Sequence, residues 1–115
     1  MGKCFIAEND DKILGFISIY SQDAKAQISW IAVAQEFHNE GIGTALLNET
    51  EKVLKNLGVK TLRVKTVVKQ NPPDGSYDLT MRFYKSRGFK IDKKYPQKKH
   101  KHYTYNMGIL KKIIK

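Results

Sequence analysis

The sequence predicts a mixed α/β domain of the α+β class, built around one central sheet. Three observations predict it: strand-like segments near both ends, two segments of helical periodicity between them, and a length of 115 residues, which suits one compact domain. The expected order over residues 1–115 is β-β-β-α-β-α-β-β. Because a strand–helix–strand unit normally makes a parallel pair, we expect the sheet to be mixed.

The first third of the chain predicts an antiparallel meander of three strands. The segments Lys3–Glu8, Lys12–Tyr20 and Ala26–Val33 are rich in Ile, Phe and Val. Turn-forming residues separate them at positions 9–11 and 21–23, and the first of these turns predicts a hairpin.

The apolar pattern then changes to a helical period between Gly41 and Leu57. Gly58 is expected to stop this helix in a left-handed conformation. Asn48, Glu51, Lys52 and Lys55 are expected on the polar side. The residues expected on the apolar face are Ile42, Ala45, Leu46, Val53 and Leu57.

The rest of the chain predicts a strand, a second helix and two closing strands. Leu62–Val68 alternates and is β-branched, which favours a strand. Asp74 or Ser76 can cap a helix that runs to about Ser86. The closing strands are expected at residues 88–91 and 102–110. The helix residues expected close together on one side are Leu79, Phe83 and Tyr84.

The composition of the chain indicates what kind of partner it binds and in which compartment it is expected. The chain has 21 basic and 11 acidic residues, a formal charge of +10, so the partner is expected to be anionic: nucleic acid, a membrane surface or a phosphorylated cofactor. No segment approaches the roughly 18 apolar residues of a membrane span, and the first residues do not resemble a secretory signal. The single cysteine, Cys4, excludes a disulfide framework and is expected to be a small buried hydrophobe. We therefore expect a cytoplasmic protein.

The most informative segment lies between the third strand and the first helix. Gly41-Ile42-Gly43 opens the helix shortly after the strand ends at Val33. Glycines allow a ligand to approach the backbone, and the N–H groups and dipole of a helix start favour a phosphate or diphosphate. A plain turn whose glycines ease a tight bend explains the same spacing, and the glycines alone favour that interpretation.

The residues around these glycines add a family resemblance. His38-Asn39-Glu40-Gly41-Ile42-Gly43 resembles the acetyl-CoA-binding signature Q/R-x-x-G-x-G/A of the GNAT N-acetyltransferase superfamily, with His38 where the family prefers Gln or Arg. Thr80–Phe89 (TMRFYKSRGF) is similar to a second family element, a helix-to-strand passage. Tyr77 stands where many members have an Asn near the cofactor. The resemblance extends from Lys3 to about Leu110.

The resemblance implies one GNAT-like domain with acetyl-CoA as co-substrate and no metal. The strand that ends at Val33 would splay from the parallel strand Leu62–Val68, and pantetheine would pair with the backbone of Ile31 and Val33. The diphosphate would rest on N–H groups of the loop from Asn39 to Thr44. The implied cofactor-binding residues are Ile31, Ala32, Val33, His38, Asn39, Glu40, Gly41, Ile42, Gly43, Thr44, Tyr77 and Tyr84.

The resemblance also implies direct attack of an amine on the thioester, with no acyl-enzyme. A backbone N–H near Val33 would stabilise the oxyanion, and Tyr84 matches the family's leaving-group tyrosine. Complete proton transfer from a phenol of pKa ~10 to a thiolate of pKa ~8.5 is uphill by roughly 2 kcal/mol, which favours a hydrogen bond or a tuned phenol. Without the motif, Tyr84 is interpreted as a packing residue.

Two parts of the family pattern are not found. The third strand reads Gln27-Ile28-Ser29-Trp30-Ile31, without the Glu that many relatives use as a base. Glu8, Glu36 and His38 are weak candidates, and a water chain or an already neutral amine is favoured. The chain begins at what would be the family's second strand, a short form without the preceding strand and helices. The acceptor side is therefore open, bound differently, or covered by another subunit, and we favour a homodimer.

The basic segment Lys90–His102 allows several interpretations. A solvated hairpin loop is favoured, and attraction of an acidic acceptor or of cofactor phosphates is an alternative. His100 and His102 alone are too few for a metal site. Tyr95, Tyr103 and Tyr105 lie among the lysines, as on nucleic-acid surfaces, but alternation along a strand explains the last two equally well.

Three functions are therefore ranked. The first is an acetyl-CoA-dependent N-acetyltransferase acting on a small-molecule or peptide amine. The second is a CoA-binding domain without catalysis. A basic nucleic-acid-binding module comes last, and no membrane partner is expected.

Overall fold

The computed structural model describes residues 2–9, 12–33, 41–72 and 75–114, which contain two helices and seven strands. The chain runs through β1 (Gly2–Asn9), β2 (Lys12–Gln22), β3 (Lys25–Val33), α1 (Ile42–Asn56), β4 (Thr61–Asn71), α2 (Gly75–Ser86), β5 (Lys90–Lys94), β6 (Lys98–His100) and β7 (Tyr103–Ile113). In these parts of the chain, neither helix is long and apolar enough to span a membrane.

The seven strands form one mixed sheet, which confirms the predicted fold class. Their order is β1-β2-β3-β4-β7-β5, with β6 paired to β7. The three-residue strand β6 was not predicted, because its sequence Lys98-Lys99-His100 has no apolar alternation. Two compact units can be distinguished: a first unit, Met1–Leu62 with Ile113–Lys115, and a second unit, Arg63–Lys112. A single domain over residues 1–115 stays a prediction.

In the first unit, β1, β2 and β3 form the predicted antiparallel meander. Ile17 and Ile19 on β2 and Ala26 and Ile28 on β3 point to the buried side. Helix α1 packs against all three strands. The N–H groups of Lys60 and Thr61 donate to the carbonyl of Ala24, at 2.8 and 3.3 Å, so the start of β4 is fixed to the turn before β3.

The other side of the meander is apolar and exposed. Ile6 pairs with Phe16 across the strands, and Cys4 and Trp30 both pair with Ser18, so these side chains share a face. Trp30 is 71% exposed, and the side chains of Ile6 and Tyr20 are each 52% exposed. We call Cys4, Ile6, Phe16, Tyr20 and Trp30 the open face. The prediction that Cys4 is buried was wrong, because its strand position places it opposite Ser18 and away from Ile17 and Ile19.

The predicted apolar face of α1 was wrong in part. The buried residues are Leu46, Leu47, Thr50 and Leu54, whereas Ala45 and Leu57 are exposed. The hydroxyl of Thr50 donates to the carbonyl of Leu46 at 2.7 Å. Because this bond satisfies the hydroxyl inside the helix, a threonine occupies a buried position that an apolar pattern misses.

The predicted end of α1 is confirmed. Gly58 has φ 83°, and its N–H donates to the carbonyl of Lys55. The N–H of Val59 donates to the carbonyl of Leu54 at 3.0 Å. This pair of bonds is a Schellman motif, and Val59 and Leu54, the positions that usually pack together in this motif, are both buried.

In the second unit, α2 ends in the same way at Gly88, where φ is 94°. The buried side of α2 carries Met81 and Tyr84. The prediction that Leu79 joins this side was wrong, since its side chain is 67% exposed. Residues 81 and 84 lie one turn apart, and the half-buried Tyr77 extends the same row by one more turn.

Candidate active site

The start of α1 has the geometry of an anion-binding helix terminus. Gly41, the N-cap residue, is left-handed with φ 78°, a conformation that side chains disfavour. It makes no side-chain cap hydrogen bond, and the first turn contains no acidic residue. The positive end of the helix dipole is therefore not neutralised by a carboxylate of its own first turn. Ile42, Gly43 and Thr44 form this turn, and each is half-buried.

The other predicted loop residues cannot be placed. His38, Asn39 and Glu40 lie outside the described residues, as does Glu36, a candidate base. The predicted diphosphate loop is therefore described from Gly41 onward.

The end of β3 carries the predicted pantetheine-binding residues. Ile31, Ala32 and Val33 pair with Ile17, Phe16 and Gly15 of β2, so their positions are set by a regular antiparallel ladder. One irregularity precedes them: Ser18 pairs with Trp30 but the next residue of β2 pairs with Ile28, so Ser29 is a bulge. A bulge increases the local twist and changes the direction of the strand end. No Asp or Glu occurs in β3.

Gly15 is a residue of this region that the sequence interpretation missed. A Cβ at Gly15 would lie 2.7 Å from the carbonyl oxygen of Ala32 and 3.2 Å from the Cα of Val33. Only glycine lets β2 approach the end of β3 this closely. The signal in the sequence was an isolated glycine inside an otherwise β-branched and aromatic strand.

Tyr84 is held rigidly in the second unit. Its side chain is buried, and its ring makes edge contacts with Phe83 and Phe89, both with centroids 5.3 Å apart. Burial raises the pKa of Tyr84 to about 12, and within the described residues no other cause contributes. The phenol is therefore a proton-bearing hydrogen-bond donor at neutral pH. This direction disfavours a phenol tuned to a lower pKa.

Tyr77 connects α2 to β4 in the same unit. Its hydroxyl donates to the carbonyl of Val68 at 3.0 Å. This hydrogen bond gives the hydroxyl of the half-buried Tyr77 a partner within the protein, which is consistent with a packing role for the side chain. A contact between Tyr77 and the cofactor stays a prediction.

The chain is similar in sequence to known proteins. A model of the GNAT acetyltransferase domain matches residues 1–91. The chain belongs to the GNAT acetyltransferase family. It is also 35% identical over 97 residues to a protein of Chlorobaculum tepidum that is named as an uncharacterized N-acetyltransferase. That match covers 82% of this chain and 55% of the relative, so this GNAT chain spans about half of the relative's length.

Two solved GNAT-type structures have the same fold. A GNAT family acetyltransferase from Elizabethkingia anophelis with acetyl-CoA bound has a TM-score of 0.77 at 24% identity, covering 97% of this chain and 76% of that one. The ribosomal-protein-S18-alanine N-acetyltransferase from Escherichia coli has a TM-score of 0.80 at 22% identity, covering 98% of this chain and 69% of that one. These similarities show that the GNAT fold extends over nearly the whole chain.

We predict that Gly15→Ala weakens CoA binding in this GNAT chain. The added methyl group collides with the backbone of β3, and such overpacking costs about 1–3 kcal/mol, which is relieved by moving the end of β3. Thermal unfolding and calorimetric titration with CoA measure the two effects. Gly2→Ala is the matched control, because its Cβ would meet only the carbonyl oxygen of Ile19 at 3.7 Å. If Gly15→Ala lowers the melting temperature but leaves CoA affinity at low temperature unchanged, Gly15 does not position the site.

Proposed function

We propose that this chain is an acetyl-CoA-dependent N-acetyltransferase that transfers the acetyl group directly to a primary amine in a ternary complex. The observation that carries the proposal is the uncapped, glycine-opened start of α1, which follows β3 in a chain that the GNAT domain model matches. The acetyl-CoA bound to the Elizabethkingia protein supports the choice of cofactor.

The cofactor's diphosphate is assigned to the start of α1. Backbone N–H groups from Asn39 to Thr44, together with the helix dipole, attract a dianion without the need for a basic side chain. Gly41 and Gly43 allow the close approach. His38 replaces the family's Gln or Arg, so we assign it at most one phosphate contact.

The pantetheine arm is assigned to the end of β3. Its amides pair with the backbone of Ile31 and Val33, and Ala32 lies between these two residues as the strand continues. The arm binds as an added β-strand does, through main-chain hydrogen bonds. This mode of binding needs no particular side chain. This explains why the sequence around Val33 carries no distinctive polar residue.

The chemical step uses two assigned groups. The neutral amine attacks the thioester carbonyl, a C–N bond forms, and the N–H near Val33 stabilises the oxyanion. The intermediate collapses with cleavage of the C–S bond, while the hydroxyl of Tyr84 donates a hydrogen bond to the departing thiolate. Full transfer from a phenol of pKa about 12 to a thiol of pKa ~8.5 is uphill by roughly 5 kcal/mol, so solvent supplies the proton afterwards. The amine loses its proton to water.

The test is calorimetry with acetyl-CoA, followed by a panel of amines with thiol release as the readout. Because Cys4 is an exposed free thiol that reacts with thiol reagents, the assay uses a Cys4→Ser background. We expect micromolar binding and amine-dependent release of CoA. Tight binding with no turnover over the whole panel would instead support a CoA-binding domain without catalysis, and no binding would contradict both.

The acceptor is proposed only as a primary amine of a small molecule or peptide. The Escherichia coli neighbour is named for an alanine of ribosomal protein S18, and that acceptor belongs to that protein. A cytoplasmic location and the absence of a metal stay predictions from the sequence.

A homodimer through the open face completes the proposal. The five residues of the open face are uncharged, and the exposed Glu8 and Lys25 at its margins have opposite charges, so two copies of a chain of charge +10 can meet there without net repulsion. Its four large side chains expose on the order of 450 Å², and two copies would bury roughly 900 Å² through them. This is just below the ~1,000 Å² that a specific interface exceeds, so the residues bordering the open face must contribute to the contact. An apolar patch of this size is about as large as the largest patch on a typical monomer, and such patches are often functional.

We predict that Trp30→Ser converts the dimer to a monomer. Trp30 is the largest and most exposed member of the open face, and such aromatic residues dominate interface energies. Sedimentation velocity measures the association state. Leu79→Ser, an equally exposed apolar position on α2, is expected to leave the dimer intact. A monomeric wild-type chain at all accessible concentrations would contradict the prediction.

A further inference from the structure

The net charge of the chain resides almost entirely in the second unit. Arg63–Lys112 contains 14 basic and three acidic residues, a net charge of +11, whereas the remaining 65 residues contain seven basic and eight acidic residues, a net charge of −1. The proposed diphosphate site is at the start of α1 in the first unit. The proposed diphosphate contacts, backbone N–H groups at the start of α1, use none of the basic side chains of the second unit.

Part of this charge lies on one face of the strands in the second unit. On β7, Asn106 and Leu110 are buried, so the alternate residues Tyr103 and Tyr105 lie on the opposite face. Lys98 pairs with Tyr105 and His100 pairs with Tyr103, so β6 adds its side chains to that face.

The aromatic rings on this face form a row. The rings of His100 and Tyr103 are stacked, with centroids 5.0 Å apart and an angle of 19°, and Tyr105 follows at 6.0 Å. Two cations contact the ring of Tyr95: the Nζ of Lys93 is 4.9 Å and the Nζ of Lys65 is 5.2 Å from its centroid. The segment is fixed to β7, because the N–H of Tyr95 donates to the carbonyl of Met107 at 2.8 Å.

We define the basic face as Lys65, Lys93, Tyr95, Lys98, His100, Tyr103 and Tyr105. On the basic face, aromatic rings lie beside lysine side chains that come from the same strand or from neighbouring strands. Most of these residues lie beyond residue 91, the end of the segment that the GNAT domain model matches.

We propose that the basic face binds single-stranded nucleic acid. Unpaired bases stack on the exposed ring of His100 and on the accessible parts of the half-buried rings of Tyr95, Tyr103 and Tyr105, while the lysines contact the phosphates. Stacking is worth about 1–3 kcal/mol per base. A duplex hides its base faces, so it would use the lysines but not the row of rings. An acidic peptide would likewise pair with the lysines and leave the rings without a role. This binding does not depend on the proposed acetyl transfer.

The test is fluorescence anisotropy with a labelled oligouridine of about twelve nucleotides, a length within the usual site sizes, over a salt series. We expect affinity to fall with salt at a slope of about −0.7 per phosphate contact. The double variant Lys93→Gln, Lys98→Gln should flatten this slope. His100→Ala should weaken binding about fivefold or more with the slope unchanged, since it removes a stacking ring and leaves the lysines in place.

Lys25→Gln, Lys52→Gln is the matched control, because both lysines are exposed and lie in the first unit. It should bind the oligouridine like the wild type. A polyglutamate peptide of equal charge should bind more weakly than the oligonucleotide. Equal binding of the peptide, an equal loss in the control, or an unchanged affinity of His100→Ala would each overturn the proposal. CoA titration of the same variants should be unchanged, so failure of this proposal is distinguishable from failure of the acetyltransferase assignment.

Discussion

Tyr84→Phe is expected to lower kcat by roughly 10- to 150-fold while leaving the dissociation constant for CoA unchanged. The substitution keeps the ring between Phe83 and Phe89 and removes only the hydroxyl. A hydrogen bond to a charged group is worth about 1.5–3 kcal/mol, and here the charge exists only on the departing thiolate. The loss is therefore expected in the chemical step, not in binding.

Steady-state kinetics and calorimetry on the same preparations separate the two effects. Leu79→Ala, on the exposed side of the same helix, is the control for a general perturbation of α2. An unchanged kcat in Tyr84→Phe would remove its assigned role. A rise in the CoA dissociation constant as large as the fall in kcat would show that the hydroxyl acts in binding instead.

The raised pKa of Tyr84 also predicts how the reaction rate and the stability of the chain depend on pH. Since burial raises the pKa to about 12, the phenol keeps its proton at every pH at which a primary amine becomes neutral. The rate should rise with pH as the acceptor deprotonates, and Tyr84 should cause no decline until the pH approaches 12. The raised pKa of Tyr84 also contributes to the free energy of unfolding. This contribution is fully present below the unfolded pKa of about 10 and is lost as the pH rises through about 12. In Tyr84→Phe this alkaline loss should be absent.

The fold could be predicted because local sequence patterns indicate where its strands and helices lie. Alternating Ile and Val residues, a change to helical period and a glycine after the first helix are sequence features, and Gly58 has the left-handed geometry that was predicted. Gly88 was expected to open a closing strand and instead ends α2 with the same left-handed geometry. The errors have physical causes. Thr50 is buried because its hydroxyl bonds within the helix, and Cys4 is exposed because strand pairing places it opposite Ser18.

The site was less predictable than the fold. The glycines at the start of α1 can be found from spacing and resemblance, because a diphosphate needs backbone N–H groups. Gly15 could not be assigned in this way, since its importance comes from contact with Ala32 and Val33, which lie far away in the sequence. Likewise, the sequence shows Tyr84 as a tyrosine in a motif, but only packing shows that its phenol is buried and holds its proton.

Gly43→Trp is expected to abolish CoA binding, a loss of about 100-fold or more in affinity. The indole would occupy the space in which the diphosphate approaches the N–H groups of the first turn, so the anion would lose its donors and its place at the helix dipole. Saturating CoA at about 100 times its dissociation constant stabilises a folded chain by about 2.7 kcal/mol, which for this size is a shift of roughly 10 °C. The variant should show no such shift.

Ala45→Trp separates this effect from simple crowding of the helix start. Ala45 lies in the same helical turn but is exposed, and it is not among the assigned cofactor residues. It should retain the CoA-induced shift. Because Gly43 lies in line with the buried Leu46, Leu47 and Thr50, Gly43→Trp also carries a risk of unfolding, so Gly43→Ala is measured beside it and should weaken CoA binding severalfold in a folded chain. An undiminished shift in both Gly43 variants would place the diphosphate elsewhere and remove the observation on which the proposed function rests.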